Sequence, residues 1–186
     1  RSILKRDTLQ KVGSTGFIVG AILLVIGNLL MPYTTNPTSN LQEMLTPLGE
    51  HEFRTEAASL LIVFGIWAMM IGATGIYHSI TAGGAVWAGL GFYFIFVGTA
   101  LWTVSLALDI ATASAVTNWL AADNGKEAAW SVVATLSALG RGIIPMTWIV
   151  YWLAYALLGI GMIHSAVYPR WLGSVGLISS IPVIAV

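Results

Sequence analysis

Two single charges, Asp109 and Arg141, interrupt long uncharged segments of this sequence and are the first candidates for chemistry. An arginine within a membrane-crossing helix costs roughly 2.5–3.5 kcal/mol on insertion scales, and an aspartate at the same depth would offset that cost. The pair therefore has two interpretations. It is a structural ion pair between helices, or an ionisable pair that lines a path for a small solute or a proton.

Two histidines, His78 and His164, lie in the similar pentapeptides GIYHS and GMIHS, each at the end of an apolar segment. Two histidines at one height on two helices could bind a b-type haem through their imidazoles. An imidazole in the last turn of a helix also commonly caps backbone carbonyls. Haem ligation and interfacial capping both stay open for these residues.

Other catalytic and metal-binding patterns are missing from the sequence. The chain has no cysteine, which excludes disulfides, thiolate catalysis and cysteine-type metal sites. The acids around His51 lack the HExxH spacing, and adjacent residues of a helix point in different directions. The formal net charge is zero, and no basic patch indicates nucleic acid. We therefore expect no catalytic residue, no metal site and no enzyme activity of its own, although the chain could be an accessory subunit of a membrane enzyme.

The composition places these residues in a membrane protein. Of 186 residues, 57% are hydrophobic and 9% are charged, whereas a soluble domain has about 25% charged residues. Five segments have the ~20 apolar residues that one crossing needs, and the last is cut short, so a longer chain would allow a sixth. The sequence thus predicts an all-α integral membrane helical bundle that forms one domain over residues 1–186. The predicted spans are residues 12–31, 57–78, 86–108, 142–164 and 171–186.

Basic residues indicate the orientation of the chain. Arg1, Lys5, Arg6 and Lys11 all precede the first span. The positive-inside rule places such residues in the cytoplasm. The sequence therefore predicts a multi-pass protein of the cell membrane, with a cytoplasmic N-terminus and the lipid bilayer as its first partner.

A turn signal, ADNGKE, predicts that the third and fourth spans fold back on each other at Gly125. In such an antiparallel pair, residues about equally far from the turn lie at one height. The pairs that this fold line brings together are Asp109 with Arg141, Trp102 with Trp148, and Trp119 with Trp130.

The stretch between the two charges, residues 110–140, is predicted to form an extramembrane helical hairpin. Asp109 and Arg141 each lie about 35 Å along their helices from the cytoplasmic end, beyond a hydrocarbon core about 30 Å thick. The arms are mostly Ala, Ser, Thr and Val, with charges only at the tip. Helices exposed to water need more charge, and small residues allow close approach. We expect the arms to pack on the amphipathic segment 41–48 or on another subunit.

Glycine and proline predict two local features of the helices. Gly13, Gly16 and Gly20 have the spacing that lets helices approach closely in a membrane. Pro145 removes the hydrogen bond to the carbonyl of Arg141, four residues earlier. The sequence therefore predicts a close helix contact in the first span and a bend in the fourth.

The tail YALLGIGMIHSAVYPRWLGSVGLI resembles a bacterial family of small multi-span membrane proteins of unknown function. In that family a span ends in a similar small-residue pattern, and a proline, an arginine and a tryptophan lead into the next span, as in YPRWLG here. The resemblance covers the C-terminal third of the chain. It implies a bundle of five or six helices and brings no activity with it.

These patterns favour a non-catalytic membrane subunit without a cofactor. Such a subunit would dock in and stabilise a larger membrane protein complex through the outer hairpin. One alternative is a haem-b-binding electron-transfer subunit, suggested by His78 and His164. The other is a carrier of a small solute or of protons, suggested by Asp109 and Arg141.

Overall fold

The computed structural model describes the backbone of residues 2–32 and 40–184, and the side chains of residues 8–32, 40–81 and 83–180. All regular structure within these ranges is helical, which confirms the all-α fold class. The elements in chain order are α1 (Ser2–Leu30), α2 (Leu41–Glu50), α3 (Glu52–Ser79), a 3-10 turn (Ala82–Gly84), α4 (Ala85–Ala121), α5 (Lys126–Ile163) and α6 (Arg170–Ile184).

Four helices in the described part of the chain are long and apolar enough to cross a membrane. The fifth predicted span corresponds to α6, which has 15 residues. The last two residues of that predicted span lie outside the described residues. The four helical segments are Thr8–Leu30, Glu52–Ser79, Ala85–Ala121 and Lys126–Ile163.

Helices α1 and α3 pack antiparallel with their backbones close together. A Cβ atom on Gly16 would lie 2.7 Å from the carbonyl oxygen of Ala68, and one on Gly20 would lie 2.7 Å from that of Gly65. A Cβ on Gly13 would lie 2.9 Å from a Cα atom of α3. These distances confirm the prediction that the three glycines of α1 form a helix contact.

Helices α4 and α5 pack along each other on either side of the turn at Gly125. This glycine has a φ angle of 72°, in the left-handed region that favours glycine. The ring centroids of Trp102 and Trp148 lie 6.1 Å apart, and those of Trp119 and Trp130 lie 5.0 Å apart. Both contacts occur at the heights that the fold line predicts. The position of residues 110–140 outside a membrane stays a prediction.

Pro145 lies inside α5, and the helix continues through it from Lys126 to Ile163. A Cβ atom on either flanking glycine, Gly140 or Gly142, would have no neighbour within 4 Å. The backbone around Arg141 is therefore not held by close packing at these glycines. The bend expected here stays a prediction.

Helix α2 packs across one end of the bundle, which we call the α2 end. The side chain of Asn40 caps the helix by accepting a backbone N–H at 3.0 Å. Leu45 is buried in a cluster with Val116 of α4 and Val133 of α5. The hydroxyl of Thr117 donates a hydrogen bond of 3.0 Å to a carbonyl of α2. These contacts confirm the predicted helix and show that it packs on the arms of α4 and α5.

Candidate functional site

Asp109 and Arg141 line one cavity near the α2 end, which we call the Asp109 cavity. Its volume is about 350 Å³. Helix α4 supplies Asp109, and helix α5 supplies Arg141 together with the hydroxyl of Ser137. Leu45 and other apolar side chains of α2 form the roof. The fold thus brings the two predicted charges to one site, between helices that the turn at Gly125 aligns.

The side chain of Arg141 points its Nε atom at its own helix. This atom donates a long hydrogen bond of 3.4 Å to the carbonyl of Ser137, one turn earlier. Between these two described residues, Asp109 and Arg141, the structure records no direct ion pair. The direct pair therefore stays a prediction.

The two histidines lie at helix ends, and both are exposed. His78 lies in the last turn of α3, with its ring centroid 4.8 Å from that of Tyr77. His164 ends α5, and its Nδ1 atom lies 2.9 Å from the carbonyl oxygen of Ile160. This contact is the capping geometry that the alternative interpretation predicts for His164. Neither histidine lines the Asp109 cavity. Haem ligation by the pair stays a prediction.

A larger cavity lies between α1, α3, α4, α5 and α6, and we call it the central cavity. Its volume is about 560 Å³, within the range of about 300–1,000 Å³ that is usual for small-molecule sites. The aromatic side chains Trp148, Tyr151, Trp152 and Tyr155 of α5 form much of its wall. Trp102 of α4 adds a fifth ring.

The sequence contains a signal for this aromatic wall that lies apart from the charged residues and the histidines. The segment WIVYWLAY places its aromatic residues at positions i, i+3, i+4 and i+7, which lie on one face of a helix. An aromatic face of this kind can pack in a core or line a cavity. Only the placement of the other helices decides between the two.

Clusters that would bind a metal are not found in the described residues, where no group of three or more His, Asp or Glu side chains comes together. Comparisons with protein-family models, with curated proteins and with solved structures find no match to this chain. The resemblance of the C-terminal tail to a bacterial family stays a hypothesis. The fold therefore defines the class of protein only as a helical bundle with four helices able to cross a membrane.

Proposed function

We propose that this chain is a non-catalytic integral membrane subunit that docks in and stabilises a larger membrane protein complex. The observation that carries the proposal is an uncovered face on the outer arm of α5. Val132 and Leu139 are 53% and 54% exposed there, and Thr135 between them is also exposed. Their spacing puts these three residues on one side of the helix. We call this side the docking face.

Charge is missing from the docking face. Within residues 110–140 the charged residues are Asp123, Lys126 and Glu127, all at the turn. Helix α4 has 37 residues and rises about 55 Å, well beyond a hydrocarbon core of about 30 Å. The arms would therefore project from the membrane with an apolar side facing outward. A helix of another subunit fits such a side, because it would bury the exposed side chains of Val132 and Leu139.

The proposed orientation places the N-terminus in the cytoplasm and the α2 end outside the cell membrane. Lys11 and the basic residues before it support this orientation through the positive-inside rule. In this arrangement residues 110–140 form the extramembrane helical hairpin. Helix α6, which begins at Arg170, starts a fifth span.

A charge on the docking face should release the partner subunit. We expect Val132→Asp to weaken the association by more than about 30-fold, since an unpaired carboxylate buried in an interface costs several kcal/mol and 1.4 kcal/mol is tenfold. The complex would be extracted in mild detergent from the membranes of the organism that makes it. Native mass spectrometry then measures the fraction of this chain that remains bound to the partner.

The matched control adds the same charge away from the docking face. Asn124 is exposed at the turn, so Asn124→Asp should leave the complex intact. Equal loss of the partner in both variants would contradict the role of the docking face. A wild-type chain that is extracted as a monomer with no partner would contradict the proposed function as a whole.

A second candidate function, a small-solute or proton carrier, is favoured by the geometry of the Asp109 cavity. Asp109 and Arg141 line the same space from two helices, and no direct ion pair between these described residues fills it. A zwitterionic solute could therefore pair with both groups at once. If the chain carries protons instead of a solute, the proton would bind to the carboxylate of Asp109 alone.

For this second candidate we expect Asp109→Asn to abolish transport without unfolding the protein. Loss of one partner of a buried charge pair costs about 2–5 kcal/mol, so uptake should fall more than about tenfold. The assay uses proteoliposomes with labelled alanine as the zwitterion and a pH-sensitive dye for protons. Asp123→Asn, at the exposed turn, is the control. A variant at Asp109 that loses only thermal stability would support a structural role instead.

A further inference from the structure

The central cavity is elongated and almost wholly apolar. On α5 its lining runs from Trp148 to Met162, a rise of about 21 Å that covers most of a hydrocarbon core about 30 Å thick. The cavity has a volume of about 560 Å³, and its apolar lining offers few hydrogen-bond partners to water. A long apolar molecule fits the space better than a compact polar one.

Aromatic rings form one continuous wall of this cavity. Trp102, Trp148, Tyr151, Trp152 and Tyr155 contact one another in sequence, with ring centroids 5.4 to 6.4 Å apart. All five line the cavity. Rings in offset or edge-on contact leave faces on which another flat or extended group can pack.

Several hydrogen-bond donors on this wall have no partner among the described residues. The hydroxyl of Tyr151 bonds that of Thr99 at 2.8 Å. No described residue bonds the hydroxyl of Tyr155 or the indole N–H of Trp152. Elsewhere the chain satisfies such a group, since the indole of Trp67 donates to a threonine at 3.0 Å. The donors of Tyr155 and Trp152 are accessible, since Ser59 Oγ is the buried side-chain polar atom without a partner among the described residues, so an acceptor on a bound molecule can reach them.

We propose that the central cavity binds a membrane-soluble molecule with a carbonyl group beside an elongated apolar chain. The carbonyl oxygen accepts the hydrogen bond of the Tyr155 hydroxyl, and the chain follows the cavity along α5. Quinones with isoprenoid tails and esters of long acyl chains share this chemistry. The site is independent of the docking face, which lies on the outer arm of the same helix.

A second, smaller cavity borders the central cavity on the side of α1. Its volume is about 260 Å³, and it shares Phe17 and Ile76 with the central cavity. Gln10 and Ser14, which also line it, are exposed on α1. This smaller cavity lies at the end of the bundle remote from α2.

Quenching of tryptophan fluorescence tests the proposal on the full chain in lipid nanodiscs. The probes are a decyl-substituted benzoquinone and a brominated methyl ester of a long-chain fatty acid, each of which quenches tryptophan on contact. We expect saturable quenching by one of them. Tyr155→Phe removes only the hydroxyl and should weaken that binding at least about fivefold, since an unsatisfied buried partner costs about 1–3 kcal/mol.

Two further variants complete the test. Tyr93 is 68% exposed, so Tyr93→Phe removes a hydroxyl outside the cavity and should leave binding unchanged. Gly176 lines the cavity, and a Cβ there would be in ordinary van der Waals contact, 3.5 and 3.6 Å from two backbone atoms of α5. Gly176→Ala therefore reduces the cavity volume and should weaken saturable quenching.

The outcomes separate the ligand classes. The proposal is supported if one probe quenches saturably and its binding is weakened in Tyr155→Phe but not in Tyr93→Phe. The quinone or the ester, whichever behaves in this way, then identifies the source of the carbonyl. Quenching that rises linearly with both probes in the wild-type protein overturns the proposal, because the cavity then holds only bulk lipid chains. Equal affinity of the wild-type protein and Tyr155→Phe for a saturating probe also overturns it.

Discussion

Gly16→Val is expected to force α1 away from α3 and to lower the free energy of unfolding by about 1–3 kcal/mol or more. A Cβ atom at this position would lie 2.7 Å from the carbonyl oxygen of Ala68 and 3.0 Å from the backbone nitrogen of Gly72. Both neighbours are backbone atoms, so no side chain can rotate away. In lipid, close van der Waals packing drives helix association, and the substitution removes it along this contact. Unfolding by heat or by SDS in one detergent measures the change.

A glycine with free space around it provides the matched control. A Cβ on Gly142 would have no neighbour within 4 Å. Alanine is favoured over glycine within a helix by about 0.5–1 kcal/mol. Gly142→Ala should therefore stabilise the protein slightly, opposite in sign to Gly16→Val. If both substitutions gave the same change, the stability would depend on helix propensity alone and the close contact would have no role.

The sequence predicts much of the helix arrangement because a few residue types decide it. A glycine at a turn flanked by charges marks where α4 ends and α5 begins, and the numbering around Gly125 then sets which residues meet. The contact of Trp102 with Trp148 follows from that register alone. The close approach of α1 to α3 follows from Gly16 and Gly20, because two backbones approach this closely only where side chains are missing.

Side-chain geometry at the Asp109 cavity does not follow from the register. Equal distances from the turn place Asp109 and Arg141 at one height, but they do not choose the rotamer of a long side chain. Arg141 can reach a carbonyl of its own helix, and in the structure its Nε atom contacts that of Ser137 at 3.4 Å. The local contact thus competes with the predicted ion pair, and sequence spacing carries no information about which is favoured.

The central cavity also cannot be predicted from the sequence of any single helix. Tyr155 and Trp152 mark an aromatic face of α5, which the sequence displays. Whether that face is packed or open depends on α1 and α6, which pack mainly on α3 and α5 respectively. The space between these elements is a property of the whole bundle.

Leu45→Ala is expected to undock α2 from the arms of α4 and α5. Leu45 is 6% exposed and packs against Val116 and Val133, which are fully buried. A leucine-to-alanine change in a packed core costs about 2–5 kcal/mol. Helix α2 has only 10 residues, too few to be stable alone in water. The substitution therefore destabilises the docked state of α2, and the undocked segment should lose its helical structure. Hydrogen exchange of the backbone amides of residues 41–50 measures it, and their protection should fall by more than about tenfold.

Gln42→Ala is the control for this substitution, because Gln42 is exposed on the same helix. Its amide protection should stay close to that of the wild-type protein. Unchanged protection in Leu45→Ala would contradict the view that α2 is held by its apolar contacts.

The result also bears on the Asp109 cavity, whose roof includes Leu45. If α2 undocks, water reaches Asp109 and Arg141 freely. Any binding of a zwitterion at that site should then weaken in Leu45→Ala and persist in Gln42→Ala, because charge pairing is stronger where water is excluded.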